Sequence, residues 1–147
     1  MCYIMKTIQL TINEALQNAG FRFVHDQESE VFYFTMQEGN VEYTMMLGYD
    51  EEQSLIRCFS RIPVNVPEHK VIDILTAINI FNSKELFGTM FLNEERNTLF
   101  VRTYANVDDG AINEAVIWGL IQPCMQMMKN YYVPIMKIIY SEMIISN

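Results

Sequence analysis

Apolar residues at Ile8, Ile12, Ala15, Leu16 and Ala19 recur at helical intervals and predict a first helix. Thr7 or Thr11 is placed to cap its start, and Thr11 with Glu14 has the spacing of a capping box. Gly20 ends it, as the residue that accepts a left-handed turn. The period then changes. Residues 21–26, 31–38, 41–49 and 55–62 are short runs rich in aromatic and β-branched residues. In residues 41–49 the side chains alternate, with Val41, Tyr43, Met45 and Leu47 on one side and Glu42, Thr44 and Met46 on the other. The turn dipeptide Gly39-Asn40 and the polar stretch from Asp50 to Ser54 separate these runs, so they form a meander of antiparallel hairpins.

Helical spacing returns after Pro63 and Pro67. Pro67 suits the first position of a helix, with Glu68 near its positive end. Val71, Ile74, Leu75, Ile78 and Phe81 form the stripe expected to be buried, while Ile72 and Ile80 lie off it. Residues 89–92 and 98–104 form a second hairpin around the turn from Asn93 to Asn97. Asp108-Asp109-Gly110 reads as the start of a last helical region running to about Ile145, which Pro123 and Pro134 are expected to kink or break, so that it is not one straight rod. The order is α-βββ(β)-α-ββ-α. Strands grouped between helices make this an α+β protein, an antiparallel sheet with helices packed on one face.

Composition narrows the function. The chain has 147 residues, half of them apolar, which is enough to bury a core without a metal or disulfide and predicts one domain over residues 1–147. Ten basic against eighteen acidic residues give a net charge of −8, which argues against nucleic acid and anionic membranes as partners. Such acidity would attract a basic or amphipathic partner segment, or serves solubility alone. Cys2, Cys58 and Cys124 lie far apart with no CxxC pair, so all three are expected as free thiols of a cytoplasmic protein. The opening residues lack the basic start and long apolar run of a signal peptide. Residues 111–145, the most apolar region, carry Glu114, Lys129 and Lys137 and two prolines, so they do not read as a membrane span.

Chemistry-bearing constellations are sparse. His25 and His69 have no ligand-type neighbour at metal spacing. No serine sits in a GxSxG elbow, and no glycines form a phosphate-binding loop. Asp50-Glu51-Glu52 and Glu94-Glu95 fall in predicted turns, where solvated carboxylates are the ordinary expectation. No enzyme activity, cofactor or metal is therefore expected. Eleven methionines, clustered at Met45-Met46 and at Met125, Met127 and Met128, suit core filling before adaptable binding. One surface stands out. A face of residues 55–62 reads Leu55, Arg57, Phe59, Arg61, and a face of residues 98–104 reads Phe100, Arg102, Tyr104. Arginines interleaved with aromatics are enriched where proteins meet proteins, so Arg57, Phe59, Arg61, Arg102 and Tyr104 are the candidate partner-binding residues; the other reading is a sheet face whose aromatics are core and whose arginines lay their stems along it.

Further features carry a family likeness: Ala19 to Phe23 after the first helix, the acidic turn Asp50-Glu51-Glu52, and Pro67 before a helix that ends in Ala77 to Asn82. Gly88 precedes a strand ending Phe91-Leu92-Asn93, Arg102 lies on the next strand, and Tyr131-Tyr132-Val133-Pro134 marks the closing helix. From about Thr7 to Tyr140 the chain resembles the YbjN domain family, described as a bacterial sensory-transduction regulator, and is similar in fold to type III secretion chaperones. The resemblance implies a non-enzymatic helper, often dimeric, that holds a partner protein segment on its sheet or helix face; it carries over no ligand residue. A small-ligand sensor with a pocket between sheet and helices is the alternative. The apolar surface beyond the stripe, on Ile72, Ile80 and the last helical region, requires either that the two helices pack on each other or that a second chain covers them, and the resemblance favours a two-fold homodimer.

Overall fold

The computed structural model describes residues 7–93, 95–107 and 112–141. The element order is α1 (Thr7–Asn18), β1 (Phe23–Asp26), β2 (Val31–Glu38), β3 (Val41–Asp50), β4 (Leu55–Asn65), α2 (Val71–Ser83), β5 (Thr89–Asn93), β6 (Thr98–Asn106) and α3 (Glu114–Tyr140). The strands make one six-stranded sheet in the order β1-β2-β3-β4-β6-β5, antiparallel throughout. The first four strands are the expected meander. The second hairpin joins through its later strand, β6, which pairs with β4 and leaves β5 at the edge.

All three helices lie on one face. α3 packs on β4 and β6, α1 against α3 and β3, and α2 against α3 and β5. The core between them holds Phe32, Met45, Leu47, Ile56 and Leu99 from the sheet and Ile12, Leu16, Ile74, Ile117 and Ile121 from the helices. Met90, Met125, Met127 and Met128 are buried there too, as core filling requires. Cys58 on β4 and Cys124 on α3 are free and buried. Cys124 beside it, together with burial, holds the Cys58 thiol well above its ordinary pKa and so protonated. Cys2 lies outside the described residues.

Gly20, at φ +79°, ends α1 in the expected left-handed turn, and Gly39, at φ +61°, makes the β2–β3 turn. The start of α1 differs from expectation. Thr11 is inside the helix, its Oγ1 donating to the Thr7 carbonyl at 2.8 Å. The backbone N–H groups of Ile8 and Gln9 donate instead to the Glu51 carboxylate at 3.1 and 2.9 Å. Glu51, expected in a solvated turn, thus supplies the acceptor that a helix N-terminus lacks and places negative charge at its positive end. Glu51→Gln is expected to lower stability by about 1 kcal/mol, with loss of α1 protection in hydrogen exchange; unchanged protection would count against this capping.

Two further expectations are met only in part. Pro123 and Pro134 do not break the last helix: α3 runs unbroken through 27 residues. The carbonyls left without an intrahelical partner belong to Gly119 and Asn130, both on exposed residues that water reaches. Each proline costs roughly 3 kcal/mol. Nine buried side chains, five of them Ile or Leu, offset that cost at about 1.5–3 kcal/mol for each fully buried aliphatic. The helix begins at Glu114, capped by the Asn113 side chain, which accepts from the Val116 N–H at 3.1 Å; Asp108-Asp109-Gly110, Glu94 and Ile145 lie outside the described residues. In α2 the buried residues are Ile74, Ala77 and Ile78, whereas Leu75 is 42% exposed. α2 covers only the β5 end of the sheet, so the arc it buries is narrow and Leu75 falls beside it. Pro67 flanks a short 3-10 turn, Glu68–Lys70, that precedes α2.

Candidate functional site

The strand period of two sorts each β4 and β6 side chain to one face. Ile56, Cys58, Ser60 and Ile62 go under the helices; Arg57, Phe59 and Arg61 go to the open face. On β6, Leu99, Val101 and Thr103 go under and Phe100, Arg102 and Tyr104 face out. Register brings the two outward sets together: Arg57 is opposite Tyr104, Phe59 opposite Arg102, and Arg61 opposite Phe100. In three successive same-face pairs, each arginine therefore meets an aromatic across the strands. All five candidate residues lie on this lattice.

Sequence reasoning missed the ring that completes it. Phe91 on β5 is opposite Phe100 and stacks on it, with centroids 5.4 Å apart and planes at 15°. Phe59 meets Phe91 and Phe100 edge-on at 6.4 and 6.5 Å. The Arg102 guanidinium lies over the Phe91 ring at 5.2 Å and the Tyr104 ring at 5.9 Å, within cation–π range. Its Nε is buried and has no hydrogen-bond partner among the described residues. Arg57, Arg102 and Tyr104 with Leu55 line a shallow depression of about 300 Å³ on this outer face. Toward the other edge the lattice continues as an apolar row, Val24, Tyr33, Met46 and Phe59, each opposite the next on neighbouring strands.

The other candidates stand apart from it. His25 stacks on Phe32 at 4.0 Å and meets the Tyr49 hydroxyl at 2.7 Å, and burial lowers its pKa against the raising influence of Asp26. His69 sits in the 3-10 turn before α2. Among the described residues no cluster of three His, Cys, Asp or Glu side chains is placed to hold a metal, and no helix is long and apolar enough to cross a membrane.

An antiparallel sheet with three helices on one face and the other face open is the α+β architecture of the type III secretion chaperone class. Within that architecture the chain belongs to the YbjN family, whose model matches residues 11–132 and is described as "Putative bacterial sensory transduction regulator". Its fold is similar to that of YbjN from E. coli, with a TM-score of 0.64 at 13% identity over 84% of this chain and 87% of that one. It is also similar to a chain of the HopA1-SchA chaperone-effector complex, with a TM-score of 0.62 at 8% identity over 86% of this chain and 94% of that one. Comparison with curated proteins finds no match.

Proposed function

We propose that the chain is a non-enzymatic protein-binding module of the bacterial cytoplasm, chaperone-like or regulatory, that works as one domain and holds a segment of a partner protein on the open face of its sheet. The carrying observation is the continuous aromatic and apolar surface from Val24 to Phe91, with Arg57, Arg61 and Arg102 set into it. Exposed apolar patches rimmed by polar groups mark interaction sites on soluble domains. The family's description as a regulator and the likeness to a chaperone–effector complex support the same reading. The sensor alternative needs an enclosed pocket between sheet and helices; the arginine-lined depression is shallow and lies on the opposite face.

The test compares proteins retained from bacterial cytosol by the immobilised full chain and by a Phe59→Asp variant with an unchanged melting temperature. The wild type is expected to retain a protein that the variant loses. Identical retention would place partner binding elsewhere.

The second part of the proposal is a homodimer through the outer side of α2, where Ile72 is 73% and Ile80 49% exposed beside Leu75, with Leu86 and Phe87 exposed just beyond. Buried in a two-fold contact, these side chains supply the apolar centre that a homodimer interface needs. Light scattering at micromolar concentration is expected to give twice the 17.2 kDa chain mass, and Ile72→Glu with Ile80→Glu to return it to one chain. A wild-type mass of one chain would remove the dimer.

A further inference from the structure

We propose that the segment held on the open face is an extended acidic peptide whose carboxylates alternate with apolar or aromatic side chains. This rests on the protein-binding reading above and adds the partner's chemistry to it.

The argument starts from charge. The chain is acidic, at −8, yet three of its ten basic residues share one patch. Arg57 and Arg61 are exposed and Arg102 is half-buried. Among the described residues none of the three has a carboxylate within ion-pair distance, whereas Lys129 does pair with Glu38. Arginine held against aromatic rings is a pre-organised donor fork for carboxylates. Here the Arg102 guanidinium lies over two rings, and its buried Nε has no hydrogen-bond partner among the described residues.

Geometry then selects an extended occupant. Same-face residues on a strand repeat at about 7 Å, so Arg57 and Arg61 stand roughly 13 Å apart with Phe59 between them. Arg102 lies across from Phe59 at the inter-strand distance of about 4.8 Å. A peptide strand running along β4 presents its own alternate side chains at the same interval. Carboxylates at its first and fifth positions reach Arg57 and Arg61. An apolar side chain at its third position rests on the Phe59, Phe91 and Phe100 rings. The pattern is acid-x-apolar-x-acid.

Range decides between the local and the global field. At physiological ionic strength the Debye length is about 8 Å, so the three arginines in contact outweigh the distributed negative charge of the domain. At low salt that distributed charge reaches further and opposes the approach of an anion.

The experiment uses the full chain and a fluorescent synthetic peptide built on the repeat Glu-Thr-Phe-Thr-Glu, with matched versions carrying Gln or Lys in place of Glu, and a single-stranded oligonucleotide. Anisotropy is read at physiological salt. The Glu peptide is expected to bind at least about tenfold tighter than the Gln version, with the Lys version weakest. Arg57→Gln with Arg61→Gln, both exposed and with melts as wild type, is expected to abolish the Glu preference and leave Gln-peptide binding unchanged. Equal binding of Glu and Gln peptides, lost in Phe59→Asp, would overturn the acidic preference while the docking face stands. Tighter binding of the oligonucleotide, or no binding of the Glu peptide below ~1 mM, would overturn the proposal as a whole.

Discussion

Alanine in place of Ile74 is expected to cost about 2–5 kcal/mol of unfolding free energy, and alanine in place of its neighbour Leu75 less than ~1 kcal/mol. Ile74 is fully buried, on the side of α2 that packs against α3 and β5. Its truncation leaves a cavity that the helix and the sheet edge close only in part. Leu75 is 42% exposed and walls a surface groove of about 410 Å³ with Val71 and Leu92. Its truncation removes partial contacts and opens no void. Urea melts of the two variants, with slopes unchanged, decide the matter. Equal losses would mean that α2 is rotated from the orientation described.

The Ile74–Leu75 pair also marks where sequence pattern stops being informative. Period gives the kind of element wherever one face is wet. It placed α1 with its glycine end, the meander β1 to β4, and the hairpin β5–β6. It also separated Arg57, Phe59 and Arg61 from Ile56, Cys58, Ser60 and Ile62, because residues 55–62 alternate cleanly. In α2 nearly every position is apolar or neutral, so a stripe drawn on spacing alone has no polar boundary to fix it, and the buried arc depends on how much sheet lies beneath. Phe91 was illegible for a related reason. The β5 sequence TMFLN scarcely alternates, and its face is set by pairing to β6 rather than by its own pattern.

The other misses are tertiary. Glu51 looks like one more carboxylate in an acidic turn. Only the approach of α1 to the β3–β4 end turns it into a helix cap some forty residues distant in sequence. The prolines of α3 break helices by local propensity, but the apolar surface that α3 buries along β4 and β6 outweighs them. Local rules yield to burial when the burial is extensive, and α3 contributes nine core residues.

Asn82→Ala is expected to be the most damaging polar substitution among the described residues, at about 2–4 kcal/mol, since it strands two backbone groups at roughly 1–3 kcal/mol each. The Asn82 side chain uses both ends of its amide on one residue. Nδ2 donates to the Met90 carbonyl at 3.0 Å, and Oδ1 accepts from the Met90 N–H at 2.8 Å. Met90 is on β5, the edge strand, and is 1% exposed. Its outward N–H and C=O thus have no further strand to pair with, and the end of α2 supplies a side-chain amide in that strand's place. This pairing gives an asparagine, a poor helix former, a structural role near the end of so apolar a helix; Asn79, in the same stretch, is simply exposed. Asn82→Asp separates the two bonds. An ionised carboxylate accepts from the Met90 N–H but faces the carbonyl with no donor, whereas a protonated one regains a donor. The stability deficit of Asn82→Asp against wild type is therefore expected to be large near neutral pH and to narrow on acidification, while that of Asn82→Ala stays constant. Melts of both variants across that range check it, and parallel pH profiles would show that the amide does not pair with the strand edge.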